Sequence, residues 1–180
     1  MGVVVKIVIT GTESTYKSTL TQALAQQFSF VCTEEYAREY LEEIAPNTPV
    51  DPMPRADYDR IEQGQLQTQK SHGYFDNLGH RIFDTDGITL YIWKADKYGE
   101  IDQELLKVPE DVIYFLCYPN VPAGEDRLRI DAQRRASLHK EYLNVLQRLP
   151  NTVVHLDQPT LEGRLAYAQK TIEELLNDAV

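Results

Sequence analysis

Apolar residues fall along this chain in two rhythms. Val3–Thr10 is nearly all apolar and β-branched, which predicts a strand buried on both faces. Phe30–Thr33, Arg81–Asp84, Val112–Tyr118 and Val153–Leu156 are shorter runs that also read as strands. Between them the apolar spacing changes to three and four. Leu20, Leu24 and Phe28 give one face of a helix starting near Lys17, and Leu138, Tyr142, Val145 and Leu149 give another. Leu161, Leu165, Ala168, Ile172 and Leu176 mark the face of the last helix. Residues 56–78 predict a long, glutamine-rich helix, polar for its length and as able to line a cleft as to pack a core, and Gly87–Tyr98 predicts a further helix. Four prolines within residues 45–55 exclude regular structure there. Five strands alternating with helices predict an α/β fold, a parallel sheet with helices on both faces.

Composition narrows the setting. A length of 180 residues, 42% of them hydrophobic, suits one domain over residues 1–180 with a single sizeable core. The net charge of −10 argues against nucleic acid or an anionic membrane surface as partner. No apolar run is long enough to span a bilayer, and the first residues lack the pattern of a cleaved signal peptide. Cys32 and Cys117 each sit in or beside an apolar run and read as reduced thiols. The four histidines show no metal-ligand spacing. A cytoplasmic protein with a small-molecule partner is expected. The pattern says nothing of its oligomeric state.

The stretch GTESTYKST, residues 11–19, changes the picture most. A strand running into a tight turn and then a helix aims several backbone N–H groups and a helix N-terminus at one point, which is how phosphate is cradled. The stretch meets the P-loop pattern at Gly11, Lys17 and Ser18, so residues 11–19 (Gly11, Thr12, Glu13, Ser14, Thr15, Tyr16, Lys17, Ser18 and Thr19) are the expected nucleotide loop. Lys17 would reach the terminal phosphates of ATP and Ser18 would ligate Mg²⁺. The departure is Tyr16, where the pattern has glycine. With a negative φ the ring could swing away from the phosphates. With a positive φ the residue would carry strain of about 1–3 kcal/mol and the ring would lie over the phosphate bed. On that second reading, restoring glycine should tighten ATP binding.

Three further groups carry possible chemistry. Asp84 and Asp86 end the strand RIFDTD, where carboxylates project into the ligand crevice of an open α/β sheet. Asp84 would hold Mg²⁺ or contact a substrate hydroxyl, and Asp86 would share that work or simply cap the next helix. In TEEYAREY, Glu34, Glu35 and Glu39 could accept a hydroxyl proton and Arg38 could bind a substrate anion, unless Arg38 merely pairs with Glu42. Finally, residues 125–135 hold four arginines, a charge-matched helix surface or a mobile lid that brings arginines onto phosphates.

Taken together, ITGTESTYKSTLTQALA, EEYAREYLE, FDTDGITLYIW and DRLRID resemble the ribosylnicotinamide kinase domain of NadR-type proteins, an AAA-like ATPase domain of the P-loop kinase superfamily. The blocks follow the family's order over nearly the whole chain. The resemblance implies a three-layer P-loop kinase fold with a five-stranded parallel sheet and a lid near residues 119–135. It also implies ATP- and Mg²⁺-dependent phosphorylation of the 5′-hydroxyl of nicotinamide riboside, in NAD salvage. Lys17, Glu35, Asp84 and Arg129 would be catalytic, with Asp131 a further match in the lid. Glu35, Tyr36, Arg38, Asp84 and Asp86 would face the substrate, and Ser18 and Asp84 the metal. Tyr16 and Arg127 depart from the family, each standing where glycine is usual. The alternatives are a kinase for another nucleoside or nucleotide, or a catalytically weak ATP-binding sensor or partner module. The lack of an N-K-x-D segment argues against a GTPase.

Overall fold

A computed structural model describes residues 4–124, 128 and 130–178. Five strands form one all-parallel sheet: β1 (Lys6–Gly11), β2 (Val31–Thr33), β3 (Arg81–Asp84), β4 (Val112–Cys117) and β5 (Val153–Leu156), in the spatial order β2-β3-β1-β4-β5. Among the described residues six α-helices connect and follow them: α1 (Lys17–Phe28), α2 (Tyr36–Glu39), α3 (Arg55–Ser71), α4 (Gly87–Tyr98), α5 (Arg135–Leu146) and α6 (Leu161–Asn177). Among the described residues no helix is long and apolar enough to cross a membrane.

The period-two rule sorts each central strand onto two cores. Ile7 and Ile9 of β1, with Phe115 and Cys117 of β4, face α1 and α6. Val8, Tyr114 and Leu116 face the other way, onto the layer built by α2 to α5. All of these side chains are buried, and covering both faces is what permits such unbroken apolar strands. β1 lies at the centre. The chain leaves it toward β2, and leaves its neighbour β4 toward β5, so a crevice opens at their C-terminal ends.

β2 and β4 are each one residue shorter than expected, and two other elements differ more. β1 starts at Lys6, a lysine almost wholly buried, because its ammonium pairs with Asp111 at 2.7 Å and donates to the Tyr74 carbonyl. The helix expected over 56–78 ends at Ser71, where the chain turns at Gly73 with φ 78°. Two of its glutamines, Gln65 and Gln69, pack inward. Gln65 is buried and takes the Tyr36 N–H, tying α2 to α3.

After α2 the helix widens into a π turn over Tyr40–Ile44, with the Ala45 N–H bonded to the Tyr40 carbonyl. Pro46 follows and bars Ala45 from the α region, so the turn ends there. Such widened turns often lie at functional sites, and this one abuts the crevice through Leu41.

Candidate functional site

The turn between β1 and α1 is built by close approach. Gly11 has φ 135°, and a Cβ there would sit 2.6 Å from the Cys117 carbonyl oxygen, so only glycine lets β1 and β4 run so close at the crevice. The next residues curl round a point above the α1 N-terminus. Ser14 (φ 54°) and Tyr16 (φ 69°) both lie in the left-handed region. The Lys17 ammonium donates to the Thr12 carbonyl at 2.7 Å, folding over the loop it belongs to. The hydroxyls of Thr12 and Ser14 are buried without a hydrogen-bond partner, as donors waiting for an anion would be.

Tyr16 combines the two outcomes held apart above. Its φ is positive, yet the ring lies away from the loop's interior, packed with the core of α1 and α6 and 5.9 Å from the Arg164 guanidinium. Tyr16 also contributes to the lining of the crevice.

The turn after β3 supplies the carboxylates. Ser18 donates to Asp84 Oδ2 at 2.5 Å, and Asp84 is only 3% exposed. Burial raises the Asp84 carboxyl above its usual range, against the pull of Lys17 and of the Ser18 hydrogen bond. Asp84 Oδ1 is buried and unpartnered. A serine hydroxyl and a carboxylate with one free oxygen are hard donors suited to Mg²⁺, which takes one or two protein ligands and completes its shell with phosphate oxygens and water. Ser18 and Asp84 thus fit the ion.

Glu35, at the start of α2, faces the same crevice. Its carboxyl is pushed up to about 7, first by burial and then by the nearby Asp84 charge, with Lys17 and Arg38 pulling it down. The Thr85 hydroxyl also bonds it. Thr85 is buried with φ 64°, an unusual conformation for a β-branched residue, of the kind that clusters at active sites.

Other expected residues divide. Arg38 lines the crevice and also pairs with Glu42, at 2.5 Å. Glu34 turns out to the surface, where it accepts from Gln22, and Glu39 is exposed. Two expectations are corrected. The Tyr36 ring packs on α3 at Gly64, where even a Cβ would overlap it, and does not line the crevice. Asp86 is wholly buried: Oδ2 accepts from Tyr74 at 2.7 Å and Tyr114 at 2.5 Å, and Oδ1 accepts from the Ile88 N–H and caps α4. All its acceptor positions on this side are occupied by the protein, so it contributes to the core and not to a substrate. Of the arginine cluster, Arg127 and Arg129 lie outside the described residues. Arg134 pairs with Asp96 at 2.6 Å, and the Asp131 N–H donates to Glu13 at 2.9 Å, drawing the segment before α5 onto the loop.

The crevice continues into a cavity of about 400 Å³, within the range of small-molecule sites. Its far wall is apolar and aromatic, with Leu41, Met53, Ile92, Trp93, Leu138 and Tyr142. Those residues carried no site signal in the sequence, because an apolar helix face reads as core. Arg164 was also missed. A signal existed, since it falls on the apolar stripe of α6 between Leu161 and Ala168.

A family model described as an AAA domain matches residues 6–164. The chain belongs to this AAA-domain family. Among solved structures, this AAA-domain chain is similar to a NadR protein in complex with NR, at 24% identity and a TM-score of 0.72 over 95% of this chain and 50% of that one. A NadR protein in complex with NAD and AMP-PNP gives 24% identity and 0.70, over 95% of this chain and 49% of that one. The chain spans about half the length of those NadR proteins. Thymidylate kinase from Candida albicans is similar at 14% identity and 0.67, over 98% of this chain and 94% of that one. None of the curated proteins compared with it matches the chain. The architecture is the P-loop kinase fold, with its five-stranded parallel sheet between two helical layers.

Proposed function

We propose that the chain is an ATP-dependent small-molecule kinase whose acceptor is the 5′-hydroxyl of nicotinamide riboside or a similar nucleoside. The observation that carries this reading is Glu35, a carboxyl pushed up to about 7, facing one crevice with Lys17, Ser18 and the Asp84 beneath them. A base titrating near neutrality can take a proton and still be free to do so at the start of each cycle. In the proposed step the acceptor oxygen attacks the γ-phosphorus, its proton passes to Glu35, and the bond from that phosphorus to the β–γ bridging oxygen breaks to release ADP. Lys17, the loop's own cation, balances charge on the terminal phosphates. Mg²⁺, when bound at Ser18 and Asp84, would neutralise phosphate charge. Arg38 and the aromatic wall would orient the acceptor, whose flat base suits a pocket containing Trp93 and Tyr142. The segment 119–135 serves as the lid, a role supported by the Asp131–Glu13 bond. The assignment of Arg129 to the phosphates rests on sequence alone. Two free cysteines suit a reducing cytoplasm, and a net charge of −10 suits a small ligand better than nucleic acid.

The nicotinamide riboside reading draws on the motif resemblance and on the NadR structure in complex with NR. The second reading, a weak ATP-binding module, draws on Tyr16. The packing of its ring against the core of α1 and α6 and beside Arg164 favours the kinase. ATP consumption with and without a panel of nucleosides and nucleotides tests the proposal. Turnover is expected with nicotinamide riboside or a near relative, and tight Mg·ATP binding without acceptor-dependent turnover would overturn it in favour of the binding module.

A further inference from the structure

Behind the loop, on the side away from the crevice, lies a guanidinium that the reaction described above does not use. Arg164 is 0% exposed. Four hydrogen bonds run from it to carbonyl-type acceptors on three separate segments. Nε donates to the Gln158 carbonyl at 2.8 Å, Nη1 to the Thr15 carbonyl at 3.0 Å, and Nη2 to the Tyr118 carbonyl at 2.8 Å and to Asn120 Oδ1 at 2.5 Å. Gln158 follows β5, Tyr118 and Asn120 follow β4, and Thr15 belongs to the loop after β1. One side chain therefore ties together the turns at the C-terminal ends of three neighbouring strands. A second arginine acts from the side of α5: Arg135 Nη1 donates to the Ser14 carbonyl at 3.0 Å and its Nη2 to the Val121 carbonyl at 2.6 Å.

The consequence follows from the planarity of the peptide unit. In a trans peptide the C=O and the N–H point in opposite directions. A guanidinium that holds the Thr15 carbonyl away from the crevice turns the Tyr16 N–H toward it. Arg135, by holding the Ser14 carbonyl toward α5, likewise fixes the direction of the Thr15 N–H. These are the donors a phosphate would need above the α1 N-terminus. In most such loops glycine supplies the left-handed φ beside the lysine without strain. Here a tyrosine has that φ, and its ring rests 5.9 Å from the Arg164 carbon centre, on the cation that also fixes its preceding carbonyl.

We infer that Arg164 and Arg135 are positioning residues that hold the loop's N–H groups toward the phosphates, and that Arg164 does for Tyr16 what glycine's freedom does elsewhere. The inference deepens the proposed function and rests on residues 11–19 being a nucleotide loop.

The test is a cycle of Arg164→Met, Tyr16→Gly and the double variant, with Arg164→Lys and Arg135→Met beside them. Three readouts are taken on each: ATP dissociation constant and KM against kcat, thermal midpoint, and amide hydrogen exchange of a peptide spanning the loop. Loss of one charged hydrogen-bonding group should weaken ATP binding about tenfold or more. Arg164→Met should therefore raise Kd and KM for ATP and speed loop exchange. In the Tyr16→Gly background the same substitution should cost several-fold less. Arg164→Lys should rescue only in part, since an ammonium cannot reproduce the planar fork. A purely structural arginine would instead lower the active fraction and the thermal midpoint, leaving KM for ATP unchanged. That result, or equal costs in both backgrounds, overturns the inference. If Arg164→Met does not fold, Arg135→Met decides, because it releases the Ser14 carbonyl from a partly exposed site. If the unmodified protein binds no ATP, the proposed function fails, and the exchange data still decide whether the arginines order the loop.

Discussion

Two turns at the C-terminal ends of adjacent strands solve the same problem in different ways. The turn after β1 and the turn after β3 each force a residue other than glycine into the left-handed region, Tyr16 at φ 69° and Thr85 at φ 64°. In the first, the backbone is the working part. Its carbonyls are held by Arg164 from behind, by Arg135 from the side of α5 and by Lys17 from above, and on the inference above the Thr15 and Tyr16 N–H groups are turned to the crevice. In the second, side chains are the working part. The reversal at Thr85 sends Asp84 up to Ser18 and Asp86 down among Tyr74 and Tyr114, two carboxylates two residues apart with opposite uses. Thr85 itself stays between them and bonds Glu35. Strain of about 1–3 kcal/mol at each turn is tolerated because the surroundings over-determine the conformation.

The largest expected effect probes the second turn's electrostatics. Glu35→Gln should lower turnover by about 10²–10⁴-fold with little change in ATP affinity, measured by steady-state rate against calorimetric Kd. Retained turnover would shift the proton acceptor to Asp84. The wild-type rate should rise with pH through about 7 and then level, because the deprotonated carboxylate is the active form. The stability consequence has the opposite sign. A carboxyl whose folded pKa lies above its unfolded value of 4.5 contributes stability at low pH that is lost as pH rises toward about 7. Glu35→Gln should therefore flatten the thermal midpoint over that window and raise it at pH 8 relative to wild type.

Next in size is the first turn's cation. Lys17→Ala should weaken Mg·ATP binding by roughly 10–100-fold, on the scale of a charged hydrogen bond, with an unchanged circular dichroism spectrum. Calorimetry showing unaltered affinity would remove residues 11–19 as the nucleotide loop.

A paired substitution then separates the two carboxylates. Asp86→Asn replaces an acceptor by a donor facing two tyrosine hydroxyls or a capping N–H, so it should cost about 1–3 kcal/mol in chemical denaturation while ATP affinity holds. Asp84→Asn should do the reverse, reducing Mg²⁺-dependent turnover with a small effect on stability. Equal behaviour of the pair would mean that the reversal at Thr85 does not divide their roles.

The smallest effect is expected at Tyr16. Glycine would relieve the left-handed strain, but it would forfeit the ring's packing and its contact with Arg164, and would loosen the helix start by about 1 kcal/mol. These terms oppose one another, so Tyr16→Gly should leave the ATP Kd within about threefold. Tightening beyond tenfold would restore the view of Tyr16 as a handicap.

Local pattern carried much of this molecule. The strands β3 and β5 and the helix α4 lie where short apolar runs and turn chemistry put them. The loop at Gly11–Thr19 was legible for the same reason: its chemistry depends on a contiguous turn, and contiguity is what a sequence displays. Where residues far apart converge, sequence fell short. By residue type Glu34, Glu35 and Glu39 were equivalent and only the motif resemblance singled out Glu35, which the structure turns to the crevice at the start of α2. Asp86 could be told from Asp84 only once Tyr74 and Tyr114, from two other segments, were seen to occupy its oxygens. Tyr16 posed a question in the sequence that its neighbours could not answer, because the group that receives its ring lies 148 positions on, at Arg164. Sequence by itself determined the alternation of strands and helices and the phosphate loop, both written in short-range spacing. Tertiary structure alone decided which charges face the crevice and which are buried to hold it, because burial and hydrogen-bond partners are set by the packing of distant segments.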